Sequence, residues 1–206
     1  MKINTIKKNG ISHTIKHDKF RKRAQIIKEK KDINQSKLVI GFKIKNPSFF
    51  EINYASIIYS YILGGSADSL LFKNVREKHS LCYYISSNIY KVSNIMIINS
   101  GIKAKDASKV IRLVKKQIKN MALGIFDDKY IENGKEMFIS ACNEVYDSPN
   151  DLLNVYISNE YLQNGLVEDK KKEIMKVTKN DIMKFASKLY LDTIYILEGD
   201  DTDESK

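Results

Sequence analysis

The chain has 206 residues, of which 43% are hydrophobic and 29% are charged, a size and composition that suit one globular domain or two small ones. No stretch approaches the roughly 18 uncharged apolar residues of a membrane-spanning helix, and the lysine-rich start lacks the apolar core of a secretory signal. Two widely separated cysteines, Cys82 and Cys142, are typical of reduced, buried thiols, which predicts a cytoplasmic protein rather than a disulfide framework.

The net charge of +10 is concentrated at the start of the chain, where residues 1–31 carry 11 Lys or Arg and two acidic residues. The remaining residues have a net charge of only +1. Basic segments can bind phosphates, but this one has only Phe20 to stack on a base. We therefore expect residues 1–34 to be a solvated basic leader or linker, in which FRKRAQIIKEKK can form a short helix.

A half-buried strand is predicted next, because KLVIGFKI alternates apolar residues with Lys37 and Lys43. Apolar residues at helical spacing then run from Phe50 to Ile62 and predict a helix. The helix stops at Gly64 and Gly65, which can take the left-handed conformation that ends helices. A second helix is predicted from about residue 66 to residue 78.

The pattern changes to a period of two at Leu81, and LCYYISSNIYKV and IMIINSGI predict a β-hairpin. Three helical patterns follow, ending near Gly124, Tyr146 and Asn164, and the third of them opens with Ser148-Pro149. Thr178 and Asp181 resemble a capping box at the start of a further helix. A final strand, DTIYIL, precedes the acidic segment EGDDTDESK, which we expect to be disordered from residue 199.

The element order of strand, two helices, hairpin, several helices and strand favours a two-layer α+β fold. In this fold a mainly antiparallel sheet packs helices on one face. We assign residues 35–198 to that single domain.

Histidine is scarce, so metal binding can be assessed directly. His13 and His17 have the i, i+4 spacing of a zinc-binding helix, but Lys16 stands where the inverted motif H-x-x-E-H has its glutamate. An ammonium group cannot take a proton from metal-bound water, and no third ligand is identified. His79 is isolated near a predicted helix end. We therefore expect no metal site in this chain.

Nucleotide-binding loops and serine-nucleophile motifs are absent from the sequence. Arg76 and Tyr83 admit two interpretations. An arginine in the last turn of a helix meets free carbonyl groups, and a tyrosine in a strand fills the core. Alternatively, the helix and the strand fold back on each other and bring both groups to one edge of the sheet. There the guanidinium can donate to a peptide carbonyl, and the phenol can stabilise an oxyanion.

The run Y-x-I-L-G-G-S-x-x-S-L-L-F-x-x-V-R-E-K-H-S-L-C-Y resembles the second, non-zinc-binding half of the pitrilysin/insulinase-type zinc peptidases. The similarity extends from about Gln35 to the last predicted strand. Within that family, INQSKL, EVYDSP and LDTIYIL resemble the bacterial peptidase-like group associated with 5-aminopentanol modification of elongation factor P.

The resemblance implies that this domain pairs with a homologous half or subunit, which carries the zinc motif, around a chamber that holds peptide or unfolded protein. It implies that Arg76 and Tyr83 assist catalysis and bind substrate. Gly64 and Gly65 correspond to a substrate loop, although that loop is short here. Zinc is expected only in the partner half, so we expect no peptidase activity from this chain alone.

Two hypotheses follow from the resemblance. In the first, the chain is a partner-dependent, non-catalytic half of a zinc metallopeptidase. In the second, it is a catalytically dead scaffold of the same fold, tethered by its basic arm to an acidic partner or RNA. A homodimer is compatible with either hypothesis, and neither requires a membrane.

Overall fold

The computed structural model describes residues 19–201 of the chain. In these residues one five-stranded sheet has the order β1-β5-β2-β4-β3. Four of the strands form antiparallel pairs, and β1 joins the edge of the sheet parallel to β5. The strands are β1 (Gln25–Lys30), β2 (Ser36–Ile44), β3 (Cys82–Tyr90), β4 (Ile95–Ile102) and β5 (Leu189–Glu198).

Helices pack on one face of this sheet, so the predicted two-layer α+β fold is confirmed. Two π-helical segments, Glu51–Ala55 and Phe72–Glu77, stand among the α-helices. The first leads directly into α1. The α-helices are α1 (Ser56–Gly64), α2 (Ala107–Ala122), α3 (Lys129–Glu144), α4 (Pro149–Leu162), α5 (Val167–Met175) and α6 (Lys179–Ser187).

The hydrophobic core lies between the sheet and these helices. Leu38, Ile40 and Phe42 of β2 are almost fully buried, as the alternation of the strand predicts, because successive side chains point to opposite faces. They join a cluster that includes Tyr59 of α1 and Phe185 of α6, whose ring centroids lie 5.1 Å apart. In residues 19–201 no helix combines the length and apolar character needed to cross a bilayer.

The predicted hairpin is confirmed, since β3 and β4 pair in antiparallel register. Two predicted helix starts are also confirmed. The Ser148 hydroxyl accepts a hydrogen bond from the Asp151 amide at the start of α4. Thr178 and Asp181 form a reciprocal capping box at the start of α6.

The structure corrects two expectations at the ends of the chain. The short helix predicted within FRKRAQIIKEKK is wrong, because residues 25–30 form β1 and extend the sheet into the expected leader. The expected disorder does not begin at residue 199. The Gly199 amide donates to Ser36 Oγ, and the Asp200 amide donates to the Ile33 carbonyl.

Candidate functional site

The candidate site lies where the second π-helical segment turns into β3. The Ser80 amide donates to the Arg76 carbonyl at 2.9 Å, and the Leu81 amide donates to the Val75 carbonyl at 3.1 Å. Ser80 has a positive φ of 50°, which allows the chain to reverse direction within a few residues. These hydrogen bonds hold the last helical turn against the start of the strand.

Arg76 is exposed at this junction, and its guanidinium lies over the ring of Phe72, 4.6 Å from the centroid. Such stacking restricts an arginine while leaving its N–H groups available. Within residues 19–201 the Arg76 side chain has no hydrogen-bond or ion-pair partner. Sequence reasoning missed Phe72, although its i, i+4 spacing from Arg76 on a helix is a signal for such a pair.

Tyr83 occupies a β-bulge in β3, which is one of the two edge strands of the sheet. Cys82 pairs with Ile102 and Tyr84 pairs with Gly101, so Tyr83 is the additional residue on its strand. The Tyr83 side chain is 48% exposed. Bulges re-aim side chains at sheet edges, and this one places both Tyr83 and Tyr84 outside the core.

The two tyrosines differ in their surroundings. The Tyr84 ring lies against Gly101, because a Cβ at Gly101 would stand 2.6 Å from Tyr84 Cε1. Tyr84 therefore covers a neighbouring strand. The Tyr83 hydroxyl has no hydrogen-bond partner within the described residues and remains available to a ligand.

Arg76 and Tyr83 thus lie at the same end of β3. The Arg76 charge acts on the thiol of Cys82, the residue before Tyr83. Burial raises the pKa of Cys82, and the Ser100 hydroxyl and Arg76 oppose that rise. A buried thiol with a raised pKa is a poor nucleophile, which agrees with the expectation that Cys82 belongs to the core.

Gly64 and Gly65 end α1 without the left-handed conformation that was predicted, so that expectation is wrong. Gly65 has a φ of −90°, and the described glycines with positive φ are Gly124 and Gly165. Gly64 is instead required by close packing, since its Cβ would lie 2.8 Å from the Ser87 amide nitrogen. Gly64 is buried and Gly65 is exposed, so of the two only Gly65 can meet a ligand from solvent.

The described residues do not fit a zinc site. Within residues 19–201 no three His, Cys, Asp or Glu side chains converge as metal ligands, and His79 is exposed in the turn before β3. His13 and His17 lie outside the described residues. The arrangement at Arg76 and Tyr83 offers hydrogen-bond donors instead, which can bind a peptide backbone.

Comparison with known proteins places this fold in context. Residues 4–138, more than half of the chain, match the family described as the peptidase M16 inactive domain. A protein of Bacillus subtilis (strain 168), "Probable inactive metalloprotease YmfF", is 31% identical over 173 residues, which cover 83% of this chain and 40% of that protein. The "Uncharacterized zinc protease YmxG" of the same strain is 28% identical over 135 residues, or 65% of this chain and 33% of that protein.

Solved structures show the same fold. A conserved protein from Enterococcus faecalis V583 superposes with a TM-score of 0.81 at 29% identity, covering 91% of this chain and 44% of that chain. A peptidase M16 inactive domain from Pseudomonas fluorescens superposes with a TM-score of 0.70 at 18% identity, covering 86% and 44%. The chain therefore spans less than half the length of these relatives.

Proposed function

Because the chain belongs to the family of peptidase M16 inactive domains, we propose that it is the non-catalytic half of a zinc metallopeptidase and holds peptide substrate through Arg76 and Tyr83. The family and the fold support a half without its own zinc chemistry. The role of the two side chains is our proposal.

The observation that carries this proposal is the junction between the second π-helical segment and β3. The Arg76 guanidinium, stacked on a ring, and the Tyr83 phenol, which lies at a β-bulge of an edge strand, are both exposed to solvent there. The arginine guanidinium presents several N–H donors, one or more of which can donate to a backbone carbonyl oxygen. A tyrosine hydroxyl can donate to an oxyanion as a scissile bond reacts. Neither group can cleave a peptide without a nucleophile from elsewhere.

The nucleophile would come from another half. We propose that this half carries H-x-x-E-H, binds zinc and closes with the present domain around an extended peptide. A second copy of this chain would not supply the motif, because the sequence contains none. The zinc-bearing half is therefore a different polypeptide segment, and this chain alone has no peptidase activity.

We further propose that the chain is related to the peptidase-like group associated with elongation factor P, and that it is located in the cytoplasm. The scaffold alternative differs in one testable respect: it does not require Arg76 or Tyr83 to contact a peptide.

The decisive experiment measures peptide cleavage by this chain alone, with zinc, and mixed with an H-x-x-E-H half. Activity should appear only in the mixture. Arg76→Ala and Tyr83→Phe should each lower kcat/KM by about tenfold or more, because each loses a hydrogen bond to the reacting peptide. Tyr84→Phe is the matched control, since Tyr84 lies against Gly101, and it should retain the rate. Unchanged rates for the Arg76 and Tyr83 variants would overturn the role of these two side chains, and a mixture without activity would favour the scaffold.

A further inference from the structure

A pocket lies at the far end of β3, roughly 25 Å along the strand from Tyr83. The turn after β3, the first π-helical segment and the end of α4 meet there around a space of about 240 Å³. Its polar lining comes from Asn53, Lys91 and Asn94, and its apolar lining from Phe49, Ile52 and Leu162. It is too small for a drug-sized molecule and suits one apolar side chain with a small polar group.

Lys91 is the unusual member of this lining. Its ammonium donates a hydrogen bond to the Asn53 carbonyl at 3.1 Å, and no carboxylate among residues 19–201 forms an ion pair with it. Burial, followed by the charge of Lys170, lowers the pKa of Lys91 to about 8. Desolvating an ammonium without a counter-charge is unfavourable. Two of its N–H groups remain for a ligand.

The apolar wall is also incompletely covered. Phe49 is 52% exposed although it lines the pocket, and its ring packs edge-on against Tyr54, with centroids 6.2 Å apart. The Tyr54 hydroxyl in turn donates to the Asn164 carbonyl just beyond α4. The wall is therefore held in place by the fold and does not depend on a ligand to form.

We propose that this pocket binds a carboxylate attached to an apolar group, with Lys91 as the anchoring cation. An anion supplies the counter-charge that the Lys91 ammonium lacks. An apolar group attached to the carboxylate covers Phe49 and Leu162. Two sources have this chemistry: the C-terminus of a peptide that ends in an apolar residue, and a small free organic acid. The proposal does not depend on Arg76 or Tyr83, which lie at the other end of the strand.

Isothermal titration of the full chain with three probes tests the proposal. These are N-acetyl-Leu-Phe with a free carboxylate, the same dipeptide as its C-terminal amide, and hexanoate. The free acid should bind at least tenfold more tightly than the amide, because only the acid pairs with the Lys91 ammonium. Tighter binding of the dipeptide acid identifies a peptide terminus, and tighter binding of hexanoate identifies a small acid.

Lys91→Met should lower the affinity for the acid at least tenfold and leave the affinity for the amide unchanged. Lys172→Met is the matched control, because Lys172 is exposed on the helix that carries Lys170, and it should bind the acid like the unaltered chain. Should Lys91→Met fail to fold, trinitrobenzenesulfonate labelling of the unaltered chain gives a second readout. The acid, and not the amide, should slow modification of Lys91 at least fivefold. Equal binding or equal protection by acid and amide would overturn the proposal.

Discussion

Gly64 at the end of α1 lies directly against Ser87 of β3. A Cβ built on Gly64 would stand 2.8 Å from the Ser87 amide nitrogen and 3.0 Å from its hydroxyl. One turn earlier, the Ser60 hydroxyl donates to the Ser87 carbonyl and the Ser87 hydroxyl donates to the Ser60 carbonyl, both at 3.1 Å. The backbones of α1 and of β3, the strand that carries Tyr83, are therefore in direct contact here. A larger side chain at position 64 would push the helix and the strand apart.

Gly64→Ala should lower the free energy of unfolding by about 1–2 kcal/mol. The added methyl group meets backbone that cannot move aside, which outweighs the gain in helix propensity of about 0.5–1 kcal/mol. Urea unfolding measures the change. Gly41→Ala is the control, because its Cβ would lie 3.8 Å from the Thr193 carbonyl oxygen, an ordinary contact. Equal stability of the two variants would contradict the packing argument.

Tyr59→Phe should leave the stability unchanged or raise it by about 1 kcal/mol. The Tyr59 hydroxyl is fully buried and has no hydrogen-bond partner in the described residues, and burial raises the pKa of this phenol. Removing an unsatisfied buried hydroxyl eliminates its desolvation cost, and the ring contact with Phe185 remains. Thermal unfolding measures the difference.

Tyr54→Phe is the matched variant for that experiment. Tyr54 is also buried, but its hydroxyl donates to the Asn164 carbonyl at 3.2 Å. Its removal should destabilise the chain by about 1 kcal/mol. A loss of stability in Tyr59→Phe comparable to that in Tyr54→Phe would show that the Tyr59 hydroxyl has a partner.

The sequence was sufficient to predict the central elements because their apolar residues repeat regularly. Every second residue of β2 is buried, and the buried positions of α2 recur at helical spacing. Each pattern lies within one short segment, and the apolar residues of each segment face the same hydrophobic core. The two-layer fold follows from their order along the chain.

Elements with little burial could not be predicted in this way. The strand β1 buries almost none of its surface and exists through pairing with β5, roughly 170 residues away in the sequence. In α5 only Val167 and Ile174 are buried, and the rest is largely charged. Pairing between distant strands, or two buried residues in a helix, leaves no periodic hydrophobic pattern in the sequence.

The candidate site was predictable only in part. Arg76 and Tyr83 stood out by their motif, but the bulge that exposes both Tyr83 and Tyr84 breaks the strict alternation of a strand. It depends on the register with β4, which no local pattern reveals. Lys91 was missed because its burial results from three separate segments that meet around the hairpin turn.

Glu51→Gln should destabilise the folded chain at pH 7 by about 1–3 kcal/mol. Glu51 is buried at the start of the first π-helical segment, where its carboxylate accepts hydrogen bonds from Lys188 and from the Ser48 amide. Burial alone would raise the pKa of Glu51, but these hydrogen bonds outweigh it and lower the pKa. The substitution removes the carboxylate partner of the half-buried Lys188 ammonium, which then keeps only the Asn46 carbonyl as an acceptor.

The pH dependence of stability checks the same contact. Because the Glu51 pKa is lowered on folding, its contribution is present above the ordinary value of 4.5 and is lost as pH falls through the lower folded value. Urea midpoints between pH 6 and pH 3 should therefore fall less steeply in Glu51→Gln than in the unaltered chain. Glu198→Gln is the control, because the ion pair of Glu198 with Lys28 is open to solvent on both sides, and it should change stability by less than about 1 kcal/mol.

Asp201 links two segments that are distant in the sequence. Asp201→Asn should weaken that link. Its carboxylate accepts from the Ser36 amide at 2.9 Å and from the Ala104 amide at 2.6 Å. An amide side chain has one acceptor oxygen and so can satisfy only one of the two donors. We expect a loss of about 1–2 kcal/mol and at least tenfold faster hydrogen exchange at one of these two amides.

Asp200→Asn is the control for that measurement, because Asp200 is exposed and contributes its backbone amide to the Ile33 carbonyl. It should exchange like the unaltered chain at both amides. Burial alone would raise the pKa of Asp201, but the bonds formed by its carboxylate outweigh that effect and lower the pKa, so the stabilities of the two variants should respond differently to acid. The contribution of the Asp201 carboxylate is present above its ordinary pKa of 3.8 and is lost as pH falls through the lower folded value, so the stability difference between the variants should shrink in acid. A difference that did not shrink in acid would show that geometry, and not the charge of the carboxylate, holds the two segments together.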